Sequence, residues 1–156
     1  MLVQRCALEQ HRIIVPASIS RPILTASSFQ ISPSGQYHYR ALVDTGAQRT
    51  VISKTAISEQ NLVRIGHMQF AGIHGPQTHT RYLCGIGLWA NRIDAGQSYY
   101  DSEPDTRTLF LLEEPIEIVD MEPNANFDLI LGWDVLKQFS FSFDMKTRSF
   151  ELVVQQ

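Results

Sequence analysis

The sequence has few cysteines, no surplus of basic residues and no long hydrophobic run. Cys6 and Cys84 are its only cysteines among 156 residues, which argues against a disulfide scaffold and a cysteine-rich metal site. The formal net charge is -3, so the chain lacks the basic surplus that neutralises nucleic acid phosphates. No segment approaches the length of a membrane span. We therefore expect no metal, cofactor, nucleic acid or membrane as a partner.

The apolar content is high enough to form a hydrophobic core. Hydrophobic residues make up 44% of the chain and charged residues 19%, as is typical of globular proteins. We predict a single domain over residues 1–156, because this length fits one domain of ordinary size. Polar side chains interrupt residues 1–12 too often for a signal peptide. The expected location is the cytoplasm, where both cysteines would remain free thiols.

Short strand patterns separated by turn residues dominate the chain and predict an all-β domain. The best helix candidate is residues 133–139, and Ser53 can cap a helical turn at residues 54–60. Residues 32–35 predict a turn, and the polar residues 91–106 predict a surface loop. The predicted strands are residues 12–19, 23–31, 37–43, 50–53, 70–75, 78–85, 108–112, 116–119, 127–131 and 139–143, with a last strand around Phe150 and Leu152.

One motif points to chemistry. Asp44-Thr45-Gly46 follows an apolar stretch, Ala41 to Val43, that predicts a strand entering the core. A carboxylate at that point is costly unless it is paired or hydrogen-bonded. Gly46 would let backbone approach the carboxylate closely, and the Thr45 hydroxyl could fix the loop. Taken alone, Asp-Thr-Gly predicts only a turn, because all three residues favour turns.

A second motif changes this interpretation. Ile130, Leu131 and Gly132 stand between a buried strand pattern and the helix candidate. The order of strand, Asp-Thr-Gly, hairpin, strand, Ile-Leu-Gly and helix resembles the retropepsin-like aspartic proteases. Residues 43–53 look especially similar to the protease domain of the DNA-damage-inducible ubiquitin-shuttle proteins and to stand-alone bacterial members. Without this resemblance, Ile130 and Leu131 would simply be core residues of a strand.

The resemblance implies a single-lobe closed barrel with one short helix, active as a two-fold homodimer. Asp44 would be the catalytic acid, and Thr45, Gly46 and Ala47 would support its loop. Gly132 would let the later strand pass close to that loop. One Asp-Thr-Gly in the chain means that the second carboxylate must come from a second copy. Aspartic proteases are the standard example of two such carboxylates sharing one proton. The implied activity is an endopeptidase acting on peptides or proteins.

The hairpin between the two motifs resembles the flap of this family. Ala71, Gly72, Ile73, His74 and Gly75 would close over a bound peptide and exclude water. An ordinary glycine-containing hairpin is the alternative, and the position between the motifs favours the flap.

Three histidines, His67, His74 and His79, lie near this hairpin. Their spacing matches no strong zinc motif, so we expect solvated side chains and no metal. The apolar residues Ile73 and Ile130 would favour apolar substrate side chains.

Two positions depart from the viral members of the family. Those enzymes usually have an acid where Gln48 stands and an arginine where Trp133 stands, and the two form an ion pair near the dimer interface. The neutral pair here predicts a different stabilisation of the dimer. A catalytically inactive module that binds peptides or dimerises is the alternative function, and self-processing within a longer polypeptide is a third.

Overall fold

A computed structural model describes residues 2–24, 29–31, 39–72, 75–92 and 107–154. Within them the chain is built mainly from short strands with two short helices. The elements are β1 (Leu2–Ala7), β2 (Ile14–Ser20), β3 (Pro22–Leu24), β4 (Phe29–Ile31), β5 (Tyr39–Val43), β6 (Val51–Ser53), α1 (Lys54–Glu59), β7 (Val63–Gly72), β8 (Gly75–Arg92), β9 (Arg107–Leu111), β10 (Ile116–Met121), β11 (Leu129–Leu131), α2 (Trp133–Leu136), β12 (Phe139–Asp144) and β13 (Ser149–Val154).

Strand β8 organises the main, 11-stranded sheet. It is 18 residues long and pairs with β1, β2, β7, β9 and β10 along its length. From β8 the pairing continues through β2, β5, β11, β6 and β10, and β10 pairs again with β8. Most pairs are antiparallel, but β11 runs parallel to β5, and β6 runs parallel to β10. The parallel pair of β5 and β11 brings both sequence motifs to one place.

The core lies inside this ring of paired strands. Val15, Ala17 and Ile19 alternate along β2 and are fully buried, as are Ile86 on β8 and Ile118 on β10. Full burial of a Val or Ile side chain stabilises a fold by roughly 1.5–3 kcal/mol. The strands that carry the motifs are therefore fixed by the core behind them.

The prediction of an all-β fold is confirmed, but the prediction of one short helix is wrong. Helix α1 forms as well as α2, and the Ser53 hydroxyl caps it by accepting the Ala56 N–H at 3.3 Å. Helix α2 ends at Leu136, earlier than expected, because Phe139 already belongs to β12. Neither helix in the described part of the chain combines the length and apolarity needed to cross a membrane.

Three strand predictions need correction. Residues 23–31 do not form one strand, since β3 and β4 pair with each other in antiparallel fashion. The second arm of the hairpin does not end at residue 85, because β8 continues to Arg92. Strand β1 was not predicted, because its polar residues interrupt the apolar pattern that indicates a strand. The predicted turn at residues 32–35 and most of the predicted loop, residues 93–106, lie outside the described residues.

Candidate active site

The predicted catalytic residue, Asp44, lies directly after β5. Its backbone N–H donates to the carbonyl of Leu131 at 3.2 Å, which extends the parallel pairing of β5 with β11 by one step. The Gly46 N–H donates to Asp44 Oδ1 at 2.8 Å, and the Ala47 N–H donates to the Asp44 carbonyl at 3.2 Å. The loop therefore turns sharply and supplies a hydrogen bond to its own carboxylate, which lowers the cost of partial burial.

The Asp44 side chain is partly buried, whereas Thr45 and Gly46 are exposed. A Cβ placed on Gly46 would lie 3.2 Å from Asp44 Oδ1, tighter than an ordinary contact. Glycine therefore lets the N–H face the carboxylate without crowding it. The Asp44 carboxylate is therefore held by a hydrogen bond and lies beside exposed residues of its own loop.

Gly132, the last residue of the second motif, lies against the backbone of Arg49. A Cβ on Gly132 would lie 2.5 Å from the Arg49 carbonyl carbon and 2.8 Å from its nitrogen. No side chain fits there without moving the backbone. The Trp133 N–H donates to the Ala47 carbonyl at 2.9 Å, so the contact joins α2 directly to the Asp44 loop.

The structure brings Ile130, Leu131 and Gly132 beside Asp44, as the resemblance implied. Leu131 is fully buried and Ile130 partly buried in the three-residue strand β11. Both pair with β5, Ile130 with Leu42 and Leu131 with Val43. Ile130 and Leu131 therefore contribute to the packing of the strand and also adjoin the candidate site.

Thr50 and Asp134 form a hydrogen-bonded pair that the sequence analysis did not predict, and this pair connects the segments that follow the two motifs. Asp134 Oδ1 accepts the hydroxyl of Thr50 at 2.7 Å, and Oδ2 accepts the Thr50 N–H at 2.9 Å. The same hydroxyl oxygen accepts the Gly132 N–H at 3.1 Å. Thr50 is fully buried, so these bonds satisfy groups that water does not reach. The sign of this pair in the sequence is that a threonine follows the first motif closely and an aspartate follows the second.

Trp133 occupies the position where viral members usually carry arginine. Its indole Nε1–H donates to the Thr45 carbonyl at 2.7 Å, while the side chain remains 42% exposed. The indole therefore contacts the backbone of the Asp-Thr-Gly loop through one neutral hydrogen bond. Because Gln48 is neutral too, an ion pair between these two positions is absent.

The predicted flap is a hairpin of β7 and β8. Ala71 is exposed and pairs with Pro76, and Gly72 pairs with Gly75 next to the turn. The second arm of the hairpin therefore begins earlier than expected, because Gly75 and Pro76 already belong to β8. Gly75 has φ of +102°, a value that side chains rarely adopt. Ile73 and His74 lie outside the described residues.

The expectation that the hairpin histidines are solvated holds for His67, which is exposed, but is wrong for His79. His79 Nδ1 lies 2.9 Å from the Asp120 carbonyl oxygen and 3.4 Å from Asp120 Oδ1. Its ring meets that of Phe70 edge to face, with centroids 5.5 Å apart. His79, on the β8 arm of the hairpin, is thus fixed by Asp120 on β10 and by Phe70 on β7.

Two cavities share Gln48 and Arg49, the residues that follow the Asp44 loop. The larger, of about 620 Å³, extends towards Trp133, Lys137 and the segment before β10. The smaller, of about 400 Å³, lies under the hairpin and is lined by Val51, Val119, Phe70 and His79 besides the shared pair. Asp44, Thr45 and Gly46 line neither cavity, so both cavities begin just beyond the loop.

Three groups on β1, β5 and β8 have strongly raised pKa values. Burial raises the pKa of Cys84 to about 12 and, together with the charge of Glu9, raises that of Cys6 to about 11. Burial also raises the pKa of Tyr39 to about 12. Both cysteines are free and stay protonated at neutral pH, so neither is an activated nucleophile.

The chain belongs to the retroviral aspartyl protease family, whose model matches residues 19–143. This match includes Asp44-Thr45-Gly46, the hairpin and Ile130-Leu131-Gly132, and it confirms the resemblance inferred from those motifs. A comparison with curated protein sequences gave no match.

Three solved structures are similar to this chain. The protease of simian foamy virus is 13% identical, with a TM-score of 0.43, and the match covers 80% of this chain and 92% of that one. A retropepsin-like aspartic protease from Rickettsia conorii is 14% identical, with a TM-score of 0.49 and coverage of 96% and 90%. The retroviral protease-like domain of Ddi1 from Leishmania major is 19% identical, with a TM-score of 0.43 and coverage of 93% and 94%.

Proposed function

We propose that this chain is an aspartic endopeptidase that works as a homodimer, with one Asp44 from each copy. The observation that carries the proposal is the geometry of the Asp44 loop. Its carboxylate accepts the Gly46 N–H at 2.8 Å, and Gly132 closes against the backbone that follows the loop. The Gly46 bond alone is that of an ordinary Asx-turn, whereas the Gly132 contact, which an isolated surface turn would lack, ties this loop to the second motif. Membership of the aspartyl protease family supports the same chemistry.

The second copy is needed because the sequence contains a single Asp-Thr-Gly. A two-fold axis beside the exposed Thr45 and Gly46 would bring the two Asp44 carboxylates together. Each copy would be a closed barrel, formed by the ring of strands from β8 through β10. Gln48 and Trp133 do not supply the ion pair of the viral enzymes, so other contacts would hold the two copies together.

In the proposed reaction, both carboxylates hold one water molecule, and one of them is protonated. The ionised Asp44 takes a proton from the water while the water oxygen bonds to the peptide carbonyl carbon. The protonated Asp44 of the other copy donates its proton to the carbonyl oxygen. The resulting diol collapses as a proton passes to the amide nitrogen and the C–N bond breaks. The products are a carboxylic acid and an amine, and the dyad recovers its single shared proton.

The substrate would lie as an extended peptide between the β7–β8 hairpin and the floor formed by β6 and β10. Peptides commonly bind in this way, with backbone hydrogen bonds giving affinity and alternate side chains entering pockets. The two cavities that share Gln48 and Arg49 would provide such pockets. Closure of the hairpin would exclude water from the cleft.

The deciding experiment compares Asp44→Asn with the wild-type protein on a peptide library at mildly acidic to neutral pH. We expect Asp44→Asn to lower kcat by roughly 10²–10⁴-fold, because general acid–base catalysis contributes about that much. A statine-type inhibitor should block the wild-type protein. Asp144→Asn, the same chemical change at the exposed end of β12, is the matched control and should retain activity. Full activity of Asp44→Asn would contradict the mechanism, and a folded wild-type protein that cleaves nothing would favour the inactive module.

A further inference from the structure

The smaller cavity has an unusual lining for a site that would hold apolar side chains. Its floor is formed by Val51 on β6 and Val119 on β10, which are partners in the parallel pairing. Its roof is formed by Phe70 and His79 from the two strands of the hairpin. The cavity therefore lies between the hairpin and the floor strands, where a peptide cut at Asp44 would pass.

Arg49 is the cationic group of this cavity. It follows the Asp44 loop closely, and its backbone is fixed against Gly132. Its side chain is 43% exposed, and its ion-pair partner is Glu117, with Nη1 and Oε2 3.9 Å apart. Glu117 also accepts a hydrogen bond from Arg81, so two guanidinium groups share one carboxylate. This cluster therefore carries a net positive charge.

The ion pair between Arg49 and Glu117 does not hold the guanidinium tightly. Exposed pairs of this kind contribute about 0–1 kcal/mol, so a better-placed carboxylate can replace Glu117. The other carboxylate near the cavity, Asp120, is buried behind His79 and accepts the Thr80 N–H at 2.8 Å. Among the described residues that line the cavity, none is acidic.

We propose that this cavity is a specificity subsite for an acidic side chain of the substrate, and that Arg49 selects it. The inference rests on the proposed function, because the subsite belongs to the same cleft. The methylene groups of a glutamate would contact Val51 and Val119, and its carboxylate would meet the guanidinium of Arg49. The planar fork of arginine suits a carboxylate, and such charge-assisted bonds are the strong ones. A purely apolar preference, as Ile73 and Ile130 suggest, would then not hold at this position.

The test uses peptides that are identical except for glutamate, glutamine or lysine at each position around the cleaved bond. At one position we expect the wild-type protein to favour glutamate over glutamine by about tenfold in kcat/KM, as for one charge-assisted hydrogen bond. Arg49→Gln should abolish this preference, Arg49→Lys should keep part of it, and Arg49→Glu should favour lysine instead. Lys146→Gln is the control, because it removes an exposed cation that lines neither cavity and should leave the preference unchanged.

A second measurement separates the two proposals. Binding of the same peptides to Asp44→Asn, in which the Gly46 N–H keeps an oxygen acceptor, does not depend on catalysis. A preference for the glutamate peptide that disappears in Asp44→Asn/Arg49→Gln supports the subsite even if the wild-type protein cleaves no peptide. Equal cleavage and equal binding of the glutamate and glutamine peptides at every position would overturn the subsite and leave the protease proposal standing.

Discussion

Asp134 accepts both the backbone N–H and the hydroxyl of Thr50, and this pair joins β6 to α2 beside the Asp44 loop. We expect Asp134→Ala and Thr50→Val each to lower the free energy of unfolding by about 1–3 kcal/mol, because each leaves buried polar groups without partners. Thr50→Val also removes the acceptor of the Gly132 N–H. Denaturant unfolding of each variant measures these losses.

The double variant Asp134→Ala/Thr50→Val tests whether the two residues act together. Groups in one hydrogen-bond network are coupled, so the double variant should lose less than the sum of the single losses, by at least about 0.5 kcal/mol. Strictly additive losses would mean that the two side chains stabilise the protein independently.

Gly132 lies where the backbones of the two motifs approach most closely. Gly132→Ala should lower stability by about 1–3 kcal/mol through overpacking and should also reduce kcat, because the Arg49 backbone must move. Gly87→Ala is the matched control, since the atoms nearest to its new Cβ belong to the side chains of Leu109 and Leu111, on β9, and not to backbone. It should cost stability but keep the kcat of the folded protein. Equal kcat values for the two variants would show that the Gly132 contact does not position Asp44.

The residues of the candidate site differ in how far the sequence revealed them. Asp44 and Gly132 belong to short motifs that can be recognised in the sequence. The resemblance that these motifs carry predicted that the two residues lie close together. Thr50 and Asp134 are 84 residues apart, and their bond depends on a pairing that only the folded sheet creates. The role of the Trp133 indole was hidden for the same reason.

Strands were predictable where side chains alternate or form short apolar runs. Strand β5 and strand β6 were located closely, since each is short and mostly apolar. Strand β1 was missed because Gln4 and Arg5 interrupt its apolar residues, and its pairing with β13 is remote in sequence. Strand β8 continues through Gly85 and Gly87, where the sequence suggested an end, because neighbouring strands pair with it on both sides.

Strand β1 pairs with β13 along its length and with the end of β8, and Val3 is only 2% exposed. We expect Val3→Ala to lower the free energy of unfolding by about 1.5 kcal/mol, which corresponds to two lost methyl groups. Ala7→Ser, at an exposed position of the same strand, is the control and should change stability by less than about 0.5 kcal/mol. Equilibrium unfolding measures both, and an unchanged Val3→Ala would mean that β1 is not docked as described.

At the scale of the whole molecule, one chain supplies half of the proposed dyad. A single carboxylate cannot be the ionised base and the protonated acid in the same step. Pairing two copies solves this without a second motif, and it makes activity depend on association. The exposed Thr45 and Gly46 beside Asp44 leave room for the second copy.

Mixing the wild-type protein with Asp44→Asn tests this dependence directly. Subunits that exchange freely should form mixed dimers with one carboxylate, which we expect to be inactive. In an equal mixture about one quarter of the dimers would carry two intact Asp44 residues, so activity per wild-type subunit should fall by about half. It should approach zero with excess Asp44→Asn, whereas added Lys146→Gln, an exposed change with Asp44 intact, should raise the total activity. Activity per wild-type subunit that ignores added Asp44→Asn, after exchange has been verified by light scattering and labelled subunits, would show that each chain works alone.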